Sequence, residues 1–281
     1  MLGAITGDTI GSRFEFRSNK STNFELFGPE CRYTDDSVMT MAVAEWLMND
    51  PTHSHAVLEK KMVKLAESAT GVGYGPMFLR WLFFPETLFN DGKRRPYKSF
   101  GNGSAMRVSA VGWMFDSLEE TERVAEISAS ITHNHPEGIK GAQATAAAIF
   151  LARNGKDKEE IRSYLSQKYN YDLNRTCDDI RPSYNFEVSC QKSVPEAIIA
   201  FLDSKDYEIA IRLAVSLGGD ADTQACITGG IAEAFYGMPD EIIVAMANHL
   251  PQDYKTTIFR LAESSAYRDR LEQIKRCWRD G

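Results

Sequence analysis

The chain has 281 residues, of which 43% are hydrophobic and 25% charged, values that are ordinary for a soluble globular protein. Its net charge of −7 argues against nucleic-acid or anionic-membrane binding, and no apolar stretch approaches the roughly 18 residues of a spanning helix. Five cysteines without a CxxC pair argue against a disulfide framework or a zinc site, and residues 1–11 do not resemble a signal peptide. We therefore expect a cytoplasmic monomer whose residues 1–281 form one domain.

Apolar residues with helical spacing dominate the chain and predict an all-α protein of roughly ten to twelve helices. In chain order, the pattern predicts one helix ending near residue 11 and others over residues 37–49, 56–69, 117–131, 136–153, from a capping box at 193–196 onwards, 206–218, 222–237, 240–250 and 255–278. Only residues 186–189 have weak strand character, and residues 85–103 form the longest apparent loop.

Two acidic clusters each open directly into a predicted helix. They are Thr34-Asp35-Asp36 near the start and Asp220-Ala221-Asp222-Thr223, after Gly218-Gly219, near the end. Either cluster alone is also explained as a helix cap, because carboxylates and hydroxyls stabilise helix N-termini. Together the clusters offer four carboxylates and two hydroxyls, the all-oxygen ligand set that hard divalent cations prefer.

Glycines recur at a spacing of four near the start of the chain, at Gly3, Gly7 and Gly11. Small residues let helix backbones approach closely. A helix that ends near Gly11 would present Glu15 on the loop that follows. Glu15 is therefore a candidate fifth carboxylate for a site.

Three further segments have residues that suit ligand binding. The turn from Gly101 to Arg107 would expose backbone N–H groups to an anion, although such turns before helices are common. His133 and His135 could be metal ligands, sugar contacts or polar loop residues, and metal is least favoured beside hard oxygens. The four basic residues of segment 92–98 could steer a diphosphate to a cleft or form a solvated loop.

Five motifs stand in one order along the chain and span residues 3–237. They are Gly3-x-x-x-Gly7-Asp8-x-x-Gly11-x-x-x-Glu15, Thr34-Asp35-Asp36-Ser37, Gly101-Asn102-Gly103-Ser104-Ala105-Met106-Arg107, Thr132-His133-x-His135-Pro136 and Gly218-Gly219-Asp220-Ala221-Asp222-Thr223. With these motifs the chain resembles the ADP-ribosylglycohydrolase family, which contains dinitrogenase-reductase-activating glycohydrolase and the ADP-ribosyl-acceptor hydrolases. The resemblance implies a single-domain orthogonal helix bundle with two magnesium ions, or manganese, in a central cleft.

The resemblance also implies roles for individual residues. One metal would be bound by Thr34, Asp35 and Asp36, and the other by Asp220, Asp222 and Thr223. The count of carboxylates agrees, because one divalent ion would not neutralise four buried carboxylates and two ions would. The catalytic group would comprise Glu15, near the first metal and the attacking water, together with Asp35, Asp36 and Asp222.

The same resemblance places the substrate on the two remaining motifs. Gly101, Asn102, Gly103 and Ser104 would bind it, with Gly103 and Ser104 facing the diphosphate. His133 or His135 would lie near the ribose or the adenine.

The implied activity is magnesium-dependent release of ADP-ribose, by water attack at the anomeric carbon, from a modified acceptor. The acceptor would be a protein side chain, arginine or serine foremost, or a small-molecule adduct, and a nucleic-acid base also stays open. Some family members use an acid just before the glycine–asparagine motif, but residues 97–100 contain none, which disfavours the arginine-specific mechanism and shifts weight onto Glu15 and the metal aspartates. Two alternatives remain: a two-metal phosphohydrolase and a non-catalytic ADP-ribose-binding relative.

Overall fold

The computed structural model describes residues 1–279, and its regular elements are helices, which confirms the all-α prediction. The helices are α1 Leu2–Gly11, α2 Asp35–Asn49, α3 His55–Ser68, α4 Pro76–Phe83, α5 Gly103–Met106, α6 Val111–Met114, α7 Leu118–Ser130, α8 Pro136–Arg153, α9 Lys158–Tyr169, α10 Cys177–Ile180, α11 Cys190–Asp203, α12 Tyr207–Ser216, α13 Ala221–Tyr236, α14 Asp240–Ala247, α15 Gln252–Ser264 and α16 Arg268–Arg279. Strand pairing in these residues is limited to one bridge between Gly101 and Ser189.

The predicted helices near residues 37 and 117 begin at side-chain caps. The Thr34 hydroxyl accepts the Asp36 N–H at 3.3 Å, and the Ser117 hydroxyl accepts the Glu120 N–H at 3.2 Å. Each bond satisfies a backbone donor that has no partner inside its own helix. None of the helices in the described part of the chain is both long and apolar enough to cross a membrane.

Two predicted helix boundaries are wrong because tertiary contacts determine where these helices begin and end. The capping box at 193–196 does not form, since α11 already begins at Cys190, whose N–H bonds to the Phe100 carbonyl at 2.8 Å, and Pro195 lies inside the helix. The predicted helix 255–278 is divided into α15 and α16 between residues 264 and 268. There the Ala266 N–H bonds to the Trp113 carbonyl at 3.2 Å, and the Tyr267 hydroxyl bonds to the Glu233 carboxylate.

The sequence prediction omitted α4 and α9, although both have start signals. Proline stands at the first position of α4, and α9 has a complete capping box between Asp157 and Glu160. The longest segment without an α-helix among the described residues is 12–34 rather than the predicted loop 85–103.

The glycines of α1 let it lie directly against α13. A Cβ atom on Gly3 would lie 2.5 Å from the Gly229 carbonyl oxygen, one on Gly7 1.9 Å from that of Ala225, and one on Gly11 2.5 Å from that of Ala221. The two helices therefore run antiparallel in backbone contact, which real Cβ atoms would prevent. This contact brings the end of α1 to the start of α13, where the second acidic cluster lies.

Candidate active site

Asp8 of α1 holds the start of α2, a role that the sequence analysis missed. Its carboxylate accepts the Thr34 hydroxyl at 2.6 Å, the Thr34 N–H at 2.9 Å, the Ser37 N–H at 3.1 Å and the Ser37 hydroxyl. Asp8 is completely buried, so these four bonds replace its hydration. The first motif, in which Asp8 follows Gly7, therefore positions the second motif by direct hydrogen bonds.

The two acidic clusters meet, as the sequence predicts. The Thr223 hydroxyl of α13 lies 3.4 Å from Asp36 Oδ1 of α2. Carboxylate oxygens of Glu15, Asp220 and Asp222 lie within 4.8 Å of one another. Glu15 follows the short 3₁₀ turn Ser12–Phe14 that continues α1, so the helix end delivers it as expected.

The carboxylates of this site repel one another in a buried setting. Burial, and secondarily the charges of neighbouring acids, raises the pKa of Glu15 to about 7 and that of Asp35 to about 8. Burial raises the pKa of Asp8 to about 6 against the effect of its hydrogen bonds. For Asp36 and Asp222, burial and the adjacent carboxylates hold the pKa well above the usual range.

The donor set suits a divalent cation. Asp36 Oδ2 is buried without a hydrogen-bond partner. Within residues 1–279, no lysine or arginine forms an ion pair with any of the site acids, which are Asp8, Glu15, Asp35, Asp36, Asp220 and Asp222. Buried carboxylates without a basic partner are stable when metal ions neutralise them. The acidic cluster could therefore bind metal.

The glycine–asparagine turn lies beside the acids and is joined to them by Asn102. The Asn102 side-chain amide donates to Asp220 Oδ2 at 2.7 Å, and its backbone N–H bonds to the Val188 carbonyl at 2.7 Å. The sequence analysis assigned Asn102 to the substrate, whereas its side chain here orients a candidate metal ligand. The Ser104 hydroxyl is fully buried and donates to the Gly138 carbonyl at 2.6 Å, so it does not face a ligand.

The two histidines have different surroundings. His133 is buried beside the turn, and a Cβ atom on Gly103 would lie 3.1 Å from its Nε2 atom. Burial, and then the charge of Arg107, holds the pKa of His133 well below its usual range, so the ring is neutral. His135 caps α8, where its Nδ1 accepts the Glu137 N–H at 3.1 Å, and its ring packs against Phe100 with centroids 5.5 Å apart.

The basic segment 92–98 is partly bound into the fold. Arg94 donates to the carbonyls of Trp81 at 2.8 Å and Leu82 at 2.7 Å, and Arg95 pairs with Asp91. Lys93 and Lys98 are exposed. Only these two side chains remain candidates for steering a ligand.

The chain is similar to proteins named as ADP-ribosylhydrolases. ADP-ribosylhydrolase ARH3 of Mus musculus is 24% identical over 85% of this chain and 83% of its own, and ADP-ribosylarginine hydrolase Tri1 of Pseudomonas putida is 27% identical over 89% and 74%. A protein of Archaeoglobus fulgidus is 36% identical over 83% of this chain and 85% of its own. The solved structure of an ADP-ribosylglycohydrolase-related protein complex aligns over 99% of this chain and 95% of that chain, with a TM-score of 0.66 and 22% identity, which shows a shared fold.

The family model for ADP-ribosylglycohydrolase matches residues 1–276, almost the whole chain. That span includes both acidic clusters, the glycine–asparagine turn and the histidine motif described above. The chain therefore belongs to the ADP-ribosylglycohydrolase family, whose members are hydrolases that act on the glycosidic bonds of ADP-ribose.

Proposed function

We propose that this protein hydrolyses the bond between ADP-ribose and a modified acceptor, with two divalent cations, magnesium or manganese, in the acidic site. The observation that carries the proposal is the meeting of the two acidic clusters without any basic partner. One cation would be held by Thr34, Asp35 and Asp36, and the other by the residues Asp220, Asp222 and Thr223. Such cations would supply positive charge that neutralises the carboxylates and orients the ribose hydroxyls.

Glu15 is the proposed general base. It is the partly exposed acid of the group it forms with Asp220 and Asp222, so water can reach it while its neighbours stay buried. As water attacks the anomeric carbon, Glu15 takes the water proton, and the acceptor leaves with the electron pair of the broken bond. The neighbouring carboxylates stabilise the positive character that develops on the sugar.

The alternative role for Glu15, an ion pair with a neighbouring arginine, has no support in the contacts. Arg17 bonds to Glu30 at 2.8 Å, and Arg13 bonds to the Glu25 carbonyl and lies over the Phe14 ring at 4.7 Å. Neither guanidinium is therefore paired with Glu15. The Glu15 carboxylate therefore faces Asp220 and Asp222 without a basic partner.

A protein side chain is the acceptor class that the surface beside Glu15 favours. Phe16 is 80% exposed and Phe186 is 51% exposed, and their rings pack in a tilted arrangement with centroids 5.7 Å apart. Exposed aromatic pairs next to a reactive group suit a polypeptide better than a small polar adduct. We propose serine or arginine as the modified residue; the absence of an acid in residues 97–100 weighs against the arginine-specific mechanism.

The decisive experiment is a panel of defined adducts, incubated with excess magnesium or with chelator. ADP-ribosyl-serine peptide, ADP-ribosyl-arginine peptide, a small O-linked ADP-ribose adduct and ADP-ribose itself would be followed by release of ADP-ribose or of phosphate. We expect ADP-ribose release from at least one modified peptide, only with the metal present. Phosphate release would identify a two-metal phosphohydrolase instead, and tight ADP-ribose binding without turnover of any adduct would identify a non-catalytic binder.

A further inference from the structure

Arg107 is a buried cation that the proposed mechanism leaves unused. It follows α5, its side chain is fully buried, and it forms no ion pair in the part of the chain that the structure describes. Its Nη2 donates to the Ser128 carbonyl at 2.8 Å and to the Thr132 hydroxyl at 3.0 Å. Burying a guanidinium without a carboxylate is costly, so its position calls for an explanation.

The contact to Thr132 determines where the hydroxyl hydrogen of that residue points. Arginine can only donate, so Thr132 Oγ1 is the acceptor in that bond. Thr132 is fully buried, and the described contacts of its hydroxyl are Arg107 and His133 Nδ1, the latter at 2.7 Å. If Nδ1 carried a hydrogen, the Thr132 hydrogen would be left buried without an acceptor, which costs free energy. The favoured arrangement is donation from Thr132 to an unprotonated Nδ1.

A neutral imidazole with a bare Nδ1 carries its hydrogen on Nε2. That atom faces the glycine–asparagine turn, because a Cβ atom would lie 3.1 Å from Nε2 at Gly103 and 3.7 Å from it at Gly101. His133 is only 5% exposed, and its Nε2 has no hydrogen-bond partner among residues 1–279. This donor points at the turn without a protein acceptor, and Nε2 is not completely enclosed, so an acceptor oxygen of a ligand can reach it.

We propose that Arg107 and Thr132 are positioning residues that hold His133 in the Nε2–H tautomer, so that it donates a hydrogen bond to a diphosphate oxygen of the substrate at Gly101–Gly103. The proposal rests on the proposed function, since ADP-ribose supplies the diphosphate. Arg107, Thr132 and His133 thus form a hydrogen-bonded relay, and Arg107 has two effects on it. Its bond to Thr132 fixes the direction of the hydrogen bonds in the relay. Its positive charge opposes a second proton on the imidazole and attracts an anion to the Nε2 side of the ring.

The tautomer can be measured without any substrate. In protein labelled with nitrogen-15 histidine, the His133 resonances are assigned by their loss in His133→Gln. We expect the Nδ1 resonance of an unprotonated nitrogen and the Nε2 resonance of a protonated one in the wild-type protein. Thr132→Val removes the hydroxyl at nearly constant volume and should give a mixture of tautomers. An Nδ1–H tautomer in the wild-type protein would overturn the inference.

The ligand is tested by titrating ADP-ribose, with magnesium present, into the same proteins. We expect Thr132→Val to weaken binding by about tenfold, since a misdirected donor leaves an anionic oxygen unpaired. Thr132→Ser, which keeps the hydroxyl, should recover most of the lost affinity. Thr121→Val is the matched control: that threonine is also fully buried and its hydroxyl bonds to the Ser117 carbonyl at 2.9 Å, but it lies in α7, outside the relay.

The outcomes separate the inference from the function on which it rests. Equal ADP-ribose affinity in Thr132→Val and the wild-type protein, with a changed tautomer, would overturn the role of the relay and leave the function intact. A wild-type protein that fails to bind ADP-ribose would overturn the proposed function and the proposed ligand together. If only the melting temperature changes, as in the Thr121→Val control, then the hydroxyl is structural and the inference is wrong.

Discussion

On one side of the site, six carboxylates lie together without a basic partner, and on the other side Arg107 lies buried without an acidic one. Asn102 stands at the border, since its amide donates to Asp220 while its backbone belongs to the glycine–asparagine turn. Each side therefore has an unbalanced charge, and the two charges have opposite sign.

The comparison indicates what each side binds. Burial and mutual repulsion raise the pKa values of the carboxylates, so bound cations would stabilise their charged form most strongly. A buried guanidinium and an unpaired imidazole donor gain most from an anion. ADP-ribose offers a diphosphate for the second side, and its ribose hydroxyls can meet cations held on the first. The imbalance is thus a property of the protein without its ligands, and binding would remove it from both sides.

The strongest test removes a carboxylate from the acidic side. Asp222→Asn should abolish turnover in magnesium, because Asp222 is a proposed ligand of the second metal and a member of the proposed catalytic group. In chelator, the same variant should melt at a higher temperature than the wild-type protein, since the fold no longer has to bury this carboxylate or hold it protonated. Release of ADP-ribose measures turnover, and calorimetric unfolding with and without magnesium measures the melting temperature. A variant that keeps activity, or that melts lower in chelator, would contradict the assignment.

Glu15→Gln tests the base while leaving the size of the side chain unchanged. We expect kcat to fall by about 10²–10⁴, with ADP-ribose affinity nearly unchanged and the acidic limb of the rate–pH profile lost. Glu30→Gln is a matched control in the same segment, because Glu30 is exposed and pairs with Arg17. Turnover near the wild-type value in Glu15→Gln would assign the base to a metal-bound aspartate.

The acidic side could be predicted from the sequence to a large extent. Local sequence signals suffice to predict these ligands, because the aspartates stand at helix starts and their carboxylates are of the type that divalent cations prefer. What could not be predicted is the hydrogen bonding of Asp8 to α2, since that contact depends on the approach of two helices distant in sequence.

The other side was less predictable. Ser104 and Asn102 were expected to face the substrate, yet the Ser104 hydroxyl is buried against Gly138 and the Asn102 amide is bound to Asp220. Arg107 was part of a motif but received no role, because nothing local indicates that its side chain points inwards to Thr132. Tertiary contacts likewise override local signals at Pro195 and near Ala266, where helix bounds were predicted wrongly.

Gly7→Ala tests the packing that brings the acidic side together. Its Cβ atom would lie 1.9 Å from the Ala225 carbonyl oxygen, so α1 would have to move away from α13, at a cost of about 3 kcal/mol of stability. Gly230→Ala on α13 is the control: its Cβ atom would have no contact nearer than 3.4 Å, and alanine favours helix by up to about 1 kcal/mol. Denaturant unfolding of both variants measures the difference, and equal stabilities would refute the close contact.

The pH dependence of stability tests the raised pKa values. Without metal, folding raises the pKa of Glu15 from 4.5 to about 7, that of Asp8 from 3.8 to about 6 and that of Asp35 from 3.8 to about 8. The folded protein therefore holds protons that the unfolded chain has released, and stability should fall as the pH rises from about 4 to about 8. Saturating magnesium should abolish this fall. Melting temperatures that rise with pH in chelator over the same window would contradict the raised values.

The smallest expected effect concerns Lys93 and Lys98, the two exposed cations of the basic segment. The Lys98 N–H bonds to Asn134 Oδ1 at 2.8 Å, which places that lysine beside the histidine motif on the anion-binding side. Neutralising both as Lys93→Gln and Lys98→Gln should raise KM by about twofold at low salt and leave kcat unchanged. The two charges would speed the association of the anionic substrate with the site, and salt screens that attraction. Arg94 is left intact, since its carbonyl bonds stabilise the loop. The double variant Lys60→Gln and Lys205→Gln changes the net charge equally at exposed positions on α3 and between α11 and α12. If both double variants change KM alike, the effect belongs to net charge, and Arg107 would be the only cation that the anion-binding side needs.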